Sequence, residues 1–155
     1  MRRSGFTLIE LLIVSGIILI LISFSTPLFR RTVTDLELKE TAANIGKFIT
    51  LAQQEAVIKT SIYKIKFDFE NKKYRLFTLS GEGASIKYIP PQGRFGRSFD
   101  LPSSMDIEGQ ASEILFYPDG HCDKVELKLT SKNGKVIALA TTGVMGNVVI
   151  TEEKE

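Results

Sequence analysis

Three hydrophobic patterns follow one another along the 155-residue chain. The first is continuous: from Leu11 to Phe29 no position carries a charge, and the run opens with Phe6-Thr7-Leu8-Ile9-Glu10. As an α-helix, residues 6–29 reach about 36 Å, enough to cross a hydrocarbon layer of ~30 Å with some tilt. The second pattern is periodic. Leu38, Ala42, Ile45, Ile49, Ala52 and Ala56 recur at alternating steps of four and three, and Phe48 widens the stripe. That spacing predicts an amphipathic helix with one buried face. Thr34-Asp35-Leu36-Glu37 offers no strong stop, so a single helix is expected over residues 6–59, about 80 Å long. No small domain needs such a helix. Its N-terminal half must belong in a membrane or in a bundle with other chains.

The third pattern has a period of two. Tyr63, Ile65, Phe67 and Phe69 alternate with Lys64, Lys66 and Asp68, which predicts a strand with one wet face. Glu70-Asn71-Lys72-Lys73 reads as a turn and residues 74–79 as the return strand. Residues 86–89 form a short strand, Pro90-Pro91-Gln92-Gly93 begins an irregular loop to about residue 102, and 105–107 form another short strand. Clearer strands follow at 113–117, 125–130 and 136–140, with a last short one at 148–151. The expected head is therefore one helix followed by about seven antiparallel strands, an α+β fold.

Composition adds limits. With 43% hydrophobic and 25% charged residues, the chain is neither disordered nor a multi-span transporter. Its net charge of +2 comes from 20 basic and 18 acidic residues, and loss of Arg2 and Arg3 would bring the two counts level. A nucleic-acid binder usually carries a larger excess. Cys122 and His121 are the only residues of their kinds, so there is no intrachain disulfide and no Cys- or His-based metal cage.

The apolar N-terminus admits three readings. A cleaved secretory signal would have a shorter apolar run and a small-residue exit site; Ser23, Ser25 and Thr26 come nearest, but Pro27 follows at once. A simple membrane anchor fits the length and leaves Glu10 unexplained. A carboxylate at the bilayer centre costs on the order of 3 kcal/mol, and intramembrane ionisable groups usually have a partner. Glu10, near one end of the run, either snorkels to the headgroups or pairs with a positive charge from another subunit. Pro27 removes a helical hydrogen bond and predicts either a kink or a helix boundary at the membrane exit.

Gly5-Phe6-Thr7-Leu8-Ile9-Glu10-Leu11-Leu12-Ile13-Val14 resembles, across its whole length, the class III signal of type IV pilins and type II secretion pseudopilins. The resemblance implies that a prepilin peptidase cuts between Gly5 and Phe6 and methylates the new amino terminus of Phe6. It also resolves the orientation, which Arg2 and Arg3 at one end and Arg30 and Arg31 at the other leave balanced: leader inside, head in the periplasm. Cleavage would leave an ammonium at Phe6, one helical turn from Glu10. In a staggered bundle, Glu10 of one subunit could neutralise the terminal amine of its neighbour and lock the register. A second segment, Ile114-Leu115-Phe116-Tyr117-Pro118-Asp119-Gly120 with Thr142-Gly143 beyond it, is similar to the H-type minor pseudopilins and to the T- and U-type minor fimbrial pilins.

Catalytic chemistry is not in view. His121-Cys122-Asp123 cannot supply three or four metal ligands, Asp119 and Asp123 lack calcium-loop spacing, and no phosphate loop, dinucleotide fingerprint or Ser-His-Asp set occurs. Pro118-Asp119-Gly120 is sufficiently explained as a turn. Lys64, Lys66, Lys72, Lys73 and Arg75, with Arg94 and Arg97 flanking Phe95, supply groups that could contact phosphates. Asp68, Glu70 and Glu82 are interleaved among them, and residues 151–155 are acidic, which disfavours DNA as a partner.

The resulting expectation has three segments: a leader at 1–5, a transmembrane and assembly helix at 6–29, and a periplasmic head at 30–155 that includes the second half of the helix. The expected function is a minor pseudopilin of a type II secretion system, without cofactor, metal or catalytic residues. It would join other pilins or pseudopilins in a filament anchored in the inner membrane. A type IV minor pilin acting in pilus assembly or DNA uptake is the alternative.

Overall fold

A computed structural model describes residues 7–81, 86–143 and 148–153, without the side chains of 24–31 and 153. One helix, α1 (Leu8–Ile58), precedes nine strands among the described residues: β1 (Tyr63–Asp68), β2 (Lys73–Ser80), β3 (Lys87–Ile89), β4 (Ser98–Asp100), β5 (Met105–Gly109), β6 (Glu113–Phe116), β7 (Glu126–Ser131), β8 (Val136–Thr141) and β9 (Val148–Glu153). The chain divides into two compact units, Met1–Val33 and Thr34–Glu155.

In the second unit the strands form two antiparallel sheets rather than one. The first has the order β3-β2-β1-β6, with β4 also on β2; the second has the order β5-β7-β8-β9. Strand alternation sets which side chains go inward. Along β1, Tyr63, Ile65 and Phe67 are buried while the residues between them are not. β2 opposes them in register, with Ile65 across from Leu76 and Phe67 across from Tyr74. The second sheet presents Met105 and Ile107, Leu127 and Leu129, and Ile137 and Leu139 in the same way.

Both inner faces meet the helix stripe. Leu38, Ala42, Ile45, Ile49, Ala52 and Ala56 are almost fully buried and share one hydrophobic core with the inward residues of both sheets. Small residues in the stripe bring the backbone close to the strands: a methyl placed on Gly46 would lie 3.6 Å from Ile150 and 3.7 Å from Val148 of β9. Polar ties flank the core. Lys39 pairs with Glu152 at 2.7 Å, Lys135 with Asp35 at 3.2 Å, and the Ser104 hydroxyl donates to Glu37 at 2.7 Å.

The loop expected at 90–102 contains more order than its sequence suggests. A 3-10 turn at Arg94–Gly96 leads into β4, which pairs with β2 from Lys73↔Asp100 to Arg75↔Ser98. The cause is tertiary: Phe99 packs on Phe48 at 4.9 Å and on Tyr74 at 5.4 Å between ring centres. A three-residue strand has no periodicity to display, so its pattern in isolation is silent.

A clip joins the two sheets. Asp123 accepts the Leu115 N–H at 3.0 Å and donates its own N–H to the Leu115 carbonyl at 3.1 Å. The Thr141 hydroxyl accepts from Val125 N–H at 2.8 Å and donates to the Asp123 carbonyl at 2.6 Å. The intervening turn is the one expected at Pro118-Asp119-Gly120: Gly120 N–H donates to the Tyr117 carbonyl at 3.0 Å, with Gly120 at φ 88°, a conformation glycine accepts freely. The Gln53 side chain on α1 donates to the Gly120 carbonyl and ties this turn to the helix.

Candidate functional site

The first unit holds the N-terminal part of α1. Thr7 starts the helix: its hydroxyl accepts the Glu10 N–H at 3.3 Å and its carbonyl accepts the Leu11 N–H at 3.2 Å. Threonine at a helix start satisfies donors that the helix cannot satisfy internally. From Leu8 to Ile22 the large apolar side chains are exposed on every face, from Val14 at 44% to Leu8 at 81%. The two described serines in this run turn their hydroxyls inward. Ser15 donates to the Leu11 carbonyl at 2.7 Å and Ser23 to the Leu19 carbonyl at 2.8 Å. Each hydroxyl is thereby satisfied within its own helix and presents no free donor to an apolar surrounding.

Glu10 lies in the first turn of this helix, exposed, and among the described residues its carboxylate makes no ion pair. Gly5 and Phe6, the expected cleavage pair, lie outside the described residues. Pro27 falls inside α1, among residues 24–31, whose side chains are also outside the described set. Among the described residues no helix is long and apolar enough to cross a membrane. In the sequence, the uncharged run continues past Ser23, the last described side chain before that gap, to Phe29.

The residues that could have carried chemistry do not converge. His121 is exposed and its Nδ1 lies 3.1 Å from Asp119, whose carboxylate also accepts the His121 backbone N–H. That backbone hydrogen bond is the main reason Asp119 holds its proton less tightly than an ordinary carboxyl. Cys122 is buried, and desolvation pushes its thiol above the usual range, so the reactive thiolate is suppressed. Asp123 is engaged with the Leu115 backbone. Among the described residues no group of three or more His, Cys, Asp or Glu side chains could hold a metal ion.

The cations of the basic hairpin have partners of their own. Lys64 and Lys66 both face Glu113, at 3.1 and 4.0 Å; Lys72 pairs with Asp106 at 2.6 Å and Lys73 with Asp100 at 3.4 Å. Arg75 donates from Nε to the Gly96 carbonyl at 2.8 Å. These cations are matched within the head. The sequence reading missed Lys47, which α1 places beside Arg94 and Arg97; only the fold brings residues so far apart in the chain to one place.

Residues 1–26 match the family described as the Prokaryotic N-terminal methylation motif. The minor pseudopilin EpsH from the type 2 secretion system of Vibrio cholerae superposes with a TM-score of 0.63 at 12% identity, covering 77% of this chain and 99% of that one. The two chains share a fold. GspH of Escherichia coli superposes with a TM-score of 0.61 at 17% identity, over 76% of this chain and 89% of that one. The type IV minor pilin FimU of Pseudomonas aeruginosa gives 0.56 at 17% identity, over 77% and 90%. No curated protein matches the chain. The α+β architecture expected from the sequence, a long helix packed on antiparallel strands, is therefore the architecture found, and it occurs in both pseudopilins and minor pilins.

Proposed function

We propose that this chain is a minor pseudopilin, built into a periplasmic filament of a type II secretion system through its N-terminal helix. The observation that carries this reading is the conjunction, on one chain, of a match to the methylation motif at residues 1–26 with a head that shares the fold of the minor pseudopilin EpsH. In this reading a prepilin peptidase cleaves between Gly5 and Phe6 and methylates Phe6. Residues 6–29 anchor the subunit in the inner membrane until assembly, with Pro27 kinking the helix near the membrane exit and the head in the periplasm. The chain performs no catalysis, and the work of export comes from elsewhere in the machine.

Glu10 has a defined task in this mechanism. A helix that is apolar all round is stable in lipid or inside a bundle, and a lone carboxylate is costly in either. An ammonium at Phe6 of an adjacent subunit is equally costly alone. Brought together in a low-dielectric bundle, the two charges remove each other's penalty at one axial offset only. The pair therefore fixes register more than it adds stability.

The test is Glu10→Val in the native host. Membrane levels of the subunit should stay normal while its incorporation into filaments falls at least about tenfold; wild-type incorporation overturns the role of Glu10. Intact mass spectrometry should find a mature chain beginning at methylated Phe6, and retention of residues 1–5 in a host with active peptidase contradicts the processing step.

The second reading, a type IV minor pilin, is favoured by the likeness to FimU. Deletion of the gene separates the two. Loss of exported proteins with surface pili intact supports the pseudopilin reading, and loss of pili or of DNA uptake supports the other.

A further inference from the structure

A groove of about 610 Å³ opens on the head between α1 and the segment that carries the 3-10 turn and β4. Its size is within the range of pockets that hold small ligands or the anchor residues of a peptide. The helix side supplies Asn44, Lys47 and Leu51, the opposite wall Arg94, Phe95 and Arg97. The floor is aromatic. Phe48 meets Tyr74 edge-on at 5.1 Å and Phe99 at 4.9 Å, and Tyr74 and Phe99 stack at 5.4 Å.

The wall is preformed. Gly96 N–H donates to the Gly93 carbonyl at 3.3 Å, Arg75 holds the Gly96 carbonyl from below at 2.8 Å, and β4 is paired to β2. The packing there is close: a methyl on Gly96 would lie 1.9 Å from the Pro91 carbonyl oxygen.

Charge decides what fits. Lys47, Arg94 and Arg97 are exposed and have no ion pair among the described residues; Arg94 lies only over the Phe95 ring, at 4.9 Å. Asp100, the acid lining the groove, is matched by Lys73 outside it. The groove is thus a positive rim over an apolar floor. An apolar occupant alone leaves the cations unmatched, and a bare anion leaves the aromatic floor unused.

We propose that this groove docks a short segment of another polypeptide in which acidic residues flank an aromatic or branched apolar side chain. Nucleic acid fits less well for two reasons. Three cations neutralise only a few phosphates, whereas a strand needs a continuous track. Glu40 and Glu55 also stand one helical turn beyond Asn44 and Leu51, at i−4 and i+4, so carboxylates lie at both ends of the groove along the helix. A phosphate backbone overrunning the groove meets repulsion at each end, whereas a peptide with two acids stops short of both. The inference rests on the head alone and does not depend on the filament reading.

The probe is a fluorescein-labelled peptide, Gly-Glu-Phe-Glu-Leu-Gly, titrated by anisotropy with the full chain in non-ionic detergent micelles at about 50 mM salt, beside a labelled single strand of thymidines. Saturable peptide binding is expected, weakened at least about tenfold by Arg94→Glu with Arg97→Glu and unchanged by Lys132→Glu on the β7–β8 turn. Phe95→Ala should weaken binding while leaving its salt dependence as in the wild type, which separates the apolar contribution from the ionic one. Absence of peptide binding, binding indifferent to the Arg94/Arg97 reversal, or tighter binding of the DNA strand than of the peptide each overturns the proposal.

Discussion

Two glycine-to-alanine substitutions, chemically identical, should shift the stability of the head in opposite directions. Gly46 lies in α1 against β9, and an added methyl would sit 3.6 Å from Ile150 Cδ1 and 3.7 Å from Val148 Cγ1, in ordinary contact. Alanine there removes the entropic penalty of glycine in a helix, about 0.5–1 kcal/mol, and buries one more methyl. The expected result is stabilisation of about 1 kcal/mol. Gly109, at the end of β5, is different: a methyl there would sit 2.6 Å from Leu127 Cδ2 and 3.2 Å from Phe69 Cζ. Leu127 is 1% exposed, so its methyl group has no room to swing aside. Overpacking of this kind costs about 1–3 kcal/mol, more than the backbone gain returns. Trp is absent, and Tyr63 and Tyr74 are buried in the core, so tyrosine fluorescence during urea unfolding of the full chain in non-ionic micelles reports the head. With slopes typical of small domains, Gly46→Ala should raise the midpoint by roughly 0.5 M and Gly109→Ala should lower it by roughly 1 M, at unchanged slope. Midpoints that move in the same direction would falsify the docking of α1 on β9 or the packing around β5, whichever sign is wrong.

Three other outcomes follow from the same geometry. Thr141→Val keeps the shape but leaves the buried Val125 N–H without its acceptor, so stability should fall by about 1–3 kcal/mol, whereas Thr141→Ser should lose no more than about one buried methyl's worth; equal stability of wild type and Thr141→Val refutes the clip between the sheets. Cys122 should react with iodoacetamide in the native protein far more slowly than a free thiol, because it is buried from the reagent and desolvation suppresses its thiolate; alkylation at the rate of a free thiol counts against that burial. Asp68 (held by the Asn71 side chain and N–H), Asp119 (held by the His121 N–H) and Glu152 (held by Lys39) all have folded pKa values below their ordinary ones. Their contribution to stability is complete above the unfolded carboxylate pKa and disappears as pH falls through the lowered folded values, so urea midpoints should decline from about pH 5 to about pH 2, and a flat or rising midpoint contradicts it.

How far the structure was legible depends on how local each signal was. The stripe from Leu38 to Ala56 could be read directly, because burial of one helix face leaves a 3.6-residue period, and all six positions are in the core. β1 was legible for the corresponding reason at period two, and its register with β2 follows from the intervening turn, where Asp68 accepts the Asn71 N–H at 2.9 Å. The division of the strands into two sheets was not legible. Alternation states which side of a strand is buried but not which neighbour it pairs with, and β1 takes β6 as its second partner across a long stretch of chain. β4 was missed because Phe99 acquires its role only from Phe48 and Tyr74. The same limit applied to the head surface. The interleaved acids of the first hairpin already argued in sequence against a phosphate-binding surface, but did not show which acids match its lysines; Glu113, Asp106 and Asp100 do so in the fold, while Lys47 joined Arg94 and Arg97 only there.

The two parts of α1 place opposite demands on their surroundings. From Leu38 to Ala56 the apolar positions occupy one face, and the head's own strands cover it, so this part is complete within one chain. Leu8, Ile9, Leu11, Ile13 and Val14, at about 100° per residue, already point to every side of the helix, and all are exposed. No single packing partner can cover a helix in every direction. Only a medium or a ring of neighbours can, which leaves lipid and a helical bundle. Glu10 separates these two. In lipid, near the helix start, a carboxylate gains nothing from its particular position and could as well be glutamine. In a bundle, a charge at that height selects one axial offset among many that the uniform apolar surface would otherwise permit. A featureless apolar helix associates without register; in the filament proposed above, one ionisable group near the helix end would supply it.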